Sequence, residues 1–98
     1  FGDYLQRMYE AIGYQWLLLA NQTRRGSAQI AARVVLEFMI YNEGGIEYLR
    51  VVHSSAGQAA TVICKDAIQS RSPFGMWTEE MVRTLGIEQT IRVTFIYQ

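Results

Sequence analysis

The sequence predicts an α+β domain in which two helices pack on one face of a three-stranded sheet, in the order α-β-β-α-β. Apolar residues recur at helical spacing in two segments and alternate with polar residues in three others. A turn that contains two glycines separates the first two alternating segments, which is typical of a hairpin. Because 98 residues suffice for one modest core, residues 1–98 are interpreted as a single domain.

The first helix is predicted from Tyr4 to Asn21, with Asp3 as its N-cap. At 3.6 residues per turn its core face consists of Leu5, Met8, Ile12, Trp16 and Leu19, with Tyr9 at the border. A second stripe, about 100° away, consists of Tyr4, Arg7, Ala11, Tyr14 and Leu18, with Leu17 on its shoulder. A surface helix needs only one apolar stripe. The second stripe therefore indicates a protein partner, burial beneath the C-terminal segment, or apolar residues merely scattered on the surface.

Alternation predicts the first two strands at residues 33–41 and 46–53, joined by the turn Asn42–Gly45. Ser54 and Ser55 are predicted N-caps of a second helix, which extends to about Ser70. The buried stripe of that helix is predicted to consist of Ala60, Ile63, Cys64, Ala67 and Ile68.

Pro73 is expected to end the second helix, and a bend then leads to a short helical turn that Gly86 closes. The last alternating segment, residues 91–97, is the third strand. A right-handed crossover places it beside the first strand and parallel to the second, so the predicted sheet order is 2-1-3. The C-terminal strand then lies at a free edge.

Composition favours a protein partner over other classes of partner. Nine Lys and Arg balance nine Asp and Glu, so no basic face for nucleic acid or an anionic membrane is indicated. Half of the residues are apolar, and no run approaches the roughly 20 apolar residues of a membrane span. The chain starts at Phe1 rather than Met, which indicates a fragment of a longer protein, expected to be soluble, from which any anchor or signal could have been trimmed off.

The sequence contains no constellation typical of catalysis, of a cofactor site or of a metal site. His53 and Cys64 are the only residues of their kinds, and neither has the spacing of a zinc site or a third orienting group. Cys64 is expected to pack in the core and His53 to lie at the surface. Trp77 is expected to cover the end of the core, with an exposed anchor formed with Met76 as the alternative.

Four segments in this order resemble the C-terminal domain of the TonB/TolA energy transducers. They are the pair Ile12 and Trp16, the hairpin from Val34 to Ser55 with Gly45, Ile46 and Val51, the segment AIQSRSPF from Ala67 to Phe74, and the closing VTFIYQ. The bend Gly75-Met76-Trp77 departs from the proline-rich segment of that family, and its Tyr-Pro pair before the first strand is missing.

The resemblance implies a non-enzymatic periplasmic domain, tethered to the inner membrane, that binds an outer-membrane receptor or transport component and passes on force. It implies strand addition at the C-terminal edge, here Ile91, Val93, Phe95 and Tyr97. Members of the family usually carry polar residues on the outer face of the first helix. The apolar stripe therefore favours a homo-oligomer here, and an engineered self-assembling or binding protein on this scaffold is the alternative.

Overall fold

The computed structural model describes residues 2–23 and 31–97, with side chains for residues 2–20 and 31–97. Its elements are α1 (Gly2–Thr23), β1 (Ala32–Tyr41), β2 (Ile46–Ser54), α2 (Gln58–Arg71), α3 (Glu79–Leu85) and β3 (Glu88–Tyr97). The strands form one sheet in the order β2-β1-β3. The predicted fold class and strand order are confirmed, with the short helical turn present as α3.

One face of β1 forms the centre of the core, and both long helices lie over it. Alternate residues of this strand point to the helices, and Val34, Leu36, Phe38 and Ile40 are all at most 1% exposed. Val93 and Phe95 of β3 face the same side. From α2 the core receives the buried Cys64, Ala67 and Ile68, which belong to its predicted stripe.

The core face of α1 agrees with its apolar periodicity. Met8 and Ile12 are fully buried, while Leu5, Trp16 and Leu19 are partly buried against the same cluster. The Trp16 ring packs edge-on against Phe95 and Tyr97, with centroids 5.2 and 5.3 Å away. Since the helix begins at Gly2, Asp3 lies in its first turn and not at the predicted N-cap position.

The two edges of the sheet differ in regularity. β1 pairs with β3 without interruption from Ala32 opposite Tyr97 to Tyr41 opposite Glu88. The pairing of β1 with β2 slips twice, and each slip places one extra residue in β2. Tyr48, beside the second slip, has a φ of 59°. The β2 edge is therefore bulged, whereas the β3 edge is straight.

The predicted N-caps of the second helix are wrong, because the turn before it uses both serine hydroxyls. Ser54 ends β2, and its Oγ lies 2.8 Å from the Thr61 Oγ1. The Oγ of Ser55 accepts a hydrogen bond from the backbone N–H of Arg33 at 2.9 Å. The cap position falls to Gly57, which has no side chain to offer.

The bend that follows α2 is fixed to the hairpin turn between β1 and β2. The N–H of Phe74 donates to the Gly44 carbonyl, and the N–H of Trp77 donates to the Asn42 carbonyl, both at 2.9 Å. Gly44 has a φ of 93°, and a Cβ at this position would lie 2.5 Å from the Gly75 carbonyl oxygen. Only glycine therefore permits this close approach of the two backbones.

We expect Gly44→Ala to lower the free energy of unfolding by about 2 kcal/mol or more, since it adds both backbone strain and a backbone clash. Gly45→Ala is the matched control, because a Cβ there makes only an ordinary contact, 3.6 Å from the Glu43 Oε1. Urea unfolding of both variants measures the difference. Equal losses would show that the contact between the turn and the bend does not constrain the fold.

Candidate protein-interaction surfaces

The hydrogen bonds at the two ends of β1 define which way each of its backbone groups points. The Arg33 carbonyl accepts from the N–H of Ser55, and the N–H of Tyr41 donates to the Gly45 carbonyl, both at 2.9 Å. Because directions alternate along a strand, the odd-numbered residues of β1 face β2 and the even-numbered ones face β3.

The same alternation assigns the backbone groups of β3. Even-numbered residues of β1 stand opposite odd-numbered residues of β3, so the predicted edge residues Ile91, Val93, Phe95 and Tyr97 direct their N–H and C=O groups to β1. The groups that point away from the sheet belong to Thr90, Arg92, Thr94 and Ile96, which we call the β3 edge. In agreement, the Arg92 carbonyl accepts from the Tyr9 hydroxyl of α1 at 3.4 Å.

The structure divides the predicted outer stripe of α1 into two parts. Tyr4 is only 8% exposed, and its hydroxyl donates to the Gly75 carbonyl at 2.7 Å. The assignment of Tyr4 to an exposed stripe is therefore wrong, since the bend after α2 covers this end of the helix. Tyr14, Leu17 and Leu18 remain 60%, 56% and 40% exposed, and we call them the exposed α1 patch.

The first part of the stripe borders a cleft of about 510 Å³ between α1, the end of α2 and the bend. This α1–bend cleft is lined by Tyr4, Arg7, Met8, Ala11, Ser70, Arg71, Pro73, Phe74, Gly75 and Met76. Met76 is 76% exposed, whereas Trp77 is 7% exposed and packs edge-on against Tyr4. Trp77 thus covers the core as expected, and the cleft brings Arg7, Ala11 and Met76 together.

A network of ion pairs spans the three strands on the open face of the sheet. Glu37 on β1 accepts from Arg50 on β2 at 2.6 Å and from Arg92 on β3 at 2.9 Å. These hydrogen bonds, first that of Arg92 and then that of Arg50, lower the pKa of Glu37. Surface ion pairs of this kind contribute little stability, but they make the middle of this face polar.

The hydroxyl of Tyr97 joins three elements at the end of β3. It accepts from the Trp16 Nε1 at 3.1 Å and lies 3.4 Å from the Ala60 carbonyl and 3.6 Å from the Cys64 Sγ. Burial raises the pKa of Tyr97 to about 12 and that of Cys64 to about 11. Cys64 is fully buried, as expected, and its thiol is protonated at neutral pH.

In residues 2–23 and 31–97, no group of three His, Cys, Asp or Glu residues is arranged to hold a metal ion. None of the helices in this part of the chain combines the length and hydropathy needed to cross a bilayer. His53 is exposed on β2, as expected.

Known structures identify the fold as that of TonB C-terminal domains. One solution structure of the Helicobacter pylori TonB C-terminal domain matches with a TM-score of 0.68 and 16% identity, covering 100% of this chain and 82% of that one. A second matches with a TM-score of 0.63 and 20% identity, covering 97% and 92%. The fold implied by the four sequence segments is therefore confirmed.

Sequence comparison adds no closer relationship. No family model matches the chain, and no curated protein matches it in sequence. The resemblance thus lies in the fold.

We expect alkaline pH to destabilise the domain partly through Tyr97. Its pKa is raised from 10 to about 12 by folding, so the native state retains a proton that the unfolded state has lost. This contribution is fully present below pH 10 and is lost as the pH rises towards 12. Urea unfolding of Tyr97→Phe between these pH values should show a weaker loss of stability than wild type.

At neutral pH the same variant should lose about 1 kcal/mol of stability, since the Trp16 N–H loses its acceptor. Tyr14→Phe is the matched control, because Tyr14 is 60% exposed. This variant should change neither the stability at neutral pH nor the loss of stability at alkaline pH. If Tyr97→Phe keeps the wild-type pH dependence, the Tyr97 hydroxyl does not couple folding to pH.

Proposed function

We propose that this chain is a TonB-type protein-interaction domain that binds an extended segment of an outer-membrane receptor or transport component along its β3 edge. The fold shared with TonB C-terminal domains supports a protein partner. The family resemblance supports three further parts of the proposal, namely a periplasmic location, an inner-membrane tether and the transmission of force to the partner. In this proposal the domain contributes binding, and it performs no catalysis.

The observation that carries the proposal is the contrast between the two edges of the sheet. A strand that joins a sheet needs evenly spaced N–H and C=O groups, repeated at about 7 Å along the edge. β3 pairs with β1 without a slip over ten residues, so the groups of Thr90, Arg92, Thr94 and Ile96 keep this spacing. The two slips in β2 interrupt it there.

Part of the β3 edge is shielded in the free domain. The Tyr9 hydroxyl of α1 donates a hydrogen bond to the outward-facing Arg92 carbonyl at 3.4 Å. Thr94 and Ile96 are exposed and lie beyond this contact. We therefore place the first hydrogen bonds of an incoming strand at these two residues.

We expect a peptide of the TonB-box type to protect the amide protons of Thr94 and Ile96 from exchange. Thr94→Pro should weaken binding at least tenfold, because it removes one outward N–H group and leaves the bonds to β1 intact. Amide exchange measured by NMR, with titration of the peptide, gives both results.

Thr94→Ala is the matched control, since it removes the hydroxyl and keeps the N–H, and it should bind like wild type. A folded Thr94→Pro variant of unchanged affinity, or protection confined to β2, would contradict strand addition at β3.

Self-association is the second candidate, and the exposed α1 patch supports it. Tyr14, Leu17 and Leu18 present apolar area to solvent on one turn and a half of helix. A Cβ on the neighbouring Gly13 would meet nothing within 4 Å, so the backbone of a second helix has room to approach. Two copies of α1 crossing here would form a symmetric dimer, whether the chain is natural or engineered to assemble.

Leu18→Glu should shift a dimer to monomer at micromolar concentration, because a carboxylate would be buried in the contact between the helices. Gln6→Glu, which places the same charge on an exposed position of α1, should leave the mass unchanged. Sedimentation equilibrium measures both. A wild-type chain that is monomeric throughout would exclude the dimer.

A further inference from the structure

The α1–bend cleft has walls that the fold holds in place. Its bend is tied to the hairpin turn by the hydrogen bonds of Phe74 and Trp77, and to α1 by the hydrogen bond from Tyr4 to the Gly75 carbonyl. Because the backbone of the bend is held in this way, a ligand that enters the cleft does not have to order it, which lowers the cost of binding. Its volume of about 510 Å³ lies within the usual range of ligand pockets.

The charged residues that line the cleft are both arginines. Arg7 enters it from α1 and Arg71 from the last turn of α2, and no acidic residue lines it. Among the residues whose side chains the structure describes, the recorded ion pairs are those of Glu37 with Arg50 and Arg92. Arg7 and Arg71 therefore have no ion-pair partner there, although Asp3 and Glu10 lie within one turn of Arg7.

The cleft is lined by both polar and apolar groups. Burial raises the pKa of Tyr4, and the positive charge of Arg7 is among the causes that oppose this rise. The apolar side chains of the lining include Met8, Phe74 and Met76, and they stand beside the polar Tyr4 and Ser70. Met76 is 76% exposed, and a flexible thioether adapts readily to an apolar side chain placed against it.

We propose that the α1–bend cleft is a second peptide-binding site, which takes a carboxylate side chain together with an adjacent apolar side chain from a protein partner. Two guanidinium groups suit a carboxylate, to which each can donate paired hydrogen bonds. Because apolar side chains such as Phe74 and Met76 share the lining with the two arginines, the cleft suits a peptide better than a free anion. The balanced charge of the chain gives no long-range attraction to anionic membranes or nucleic acid.

This site is separate from the β3 edge, because no residue of β3 lines the cleft. It goes beyond the proposed strand addition and does not depend on it. A partner that used both sites would gain affinity through the linkage between its two binding segments.

The test compares two blocked peptides, acetyl-GELLG-amide and acetyl-GQLLG-amide, by NMR titration of the ¹⁵N-labelled domain. We expect the first peptide to shift the amide signals of Ala11, Gly75 and Met76, and to bind about tenfold more tightly than the second. Arg7→Gln or Arg71→Gln should remove most of this difference. Both arginines are exposed, so the variants should fold, and unchanged core amide shifts will verify it.

Arg33→Gln is the matched control, since Arg33 is exposed on the sheet outside the cleft, and it should bind like wild type. Equal affinity for the two peptides, or absence of shifts in the cleft, would overturn the proposal. The proposal would also be overturned if inorganic phosphate bound as tightly as the acidic peptide, or if the domain bound only to vesicles containing anionic lipid. Shifts confined to Thr94 and Ile96 would overturn this site while supporting strand addition.

Discussion

The burial of one face of β1 is the constraint on which the rest of the structure depends. Its alternate side chains fill the centre of the core, and its backbone pairs on both sides, which makes it the only central strand of the described sheet. Both long helices have to cover that face, and β2 and β3 have to become edges. The regular pairing with β3 and the slipped pairing with β2 then make the two edges different.

A second constraint acts at the end of the core. The turn after β1 and the bend after α2 touch backbone to backbone at Gly44 and Gly75, and the bend in turn covers Tyr4. One contact thus closes the core beneath Trp77 and creates the wall of the α1–bend cleft. Stability and the candidate second site consequently share the same residues, whereas the β3 edge and the exposed α1 patch lie outside this contact.

Prediction from the sequence succeeded where a local periodicity determines the answer. The spacing of Met8 and Ile12 identified the core face of α1, and the alternation along β1 identified its buried side. Prediction failed where a segment distant in sequence binds or buries a side chain. The hydroxyl of Ser55 bonds to Arg33, 22 residues earlier, instead of capping α2. Periodicity placed Tyr4 on the correct side of its helix, but it did not predict that the bend at Gly75, 71 residues later, buries this side chain.

The sequence alone determined the element order, the strand order and the core, because hydrophobic periodicity and the handedness of crossovers are properties of the local chain. The tertiary structure decided which surfaces remain for a partner. The direction of the backbone groups on β3 depends on its register with β1. In this register the N–H and C=O groups that point away from the sheet belong to even-numbered residues such as Thr94, and not to the predicted odd-numbered residues such as Val93. The cleft exists only because the bend after α2, which is distant from α1 in sequence, packs against that helix. No periodicity in either segment predicts this contact.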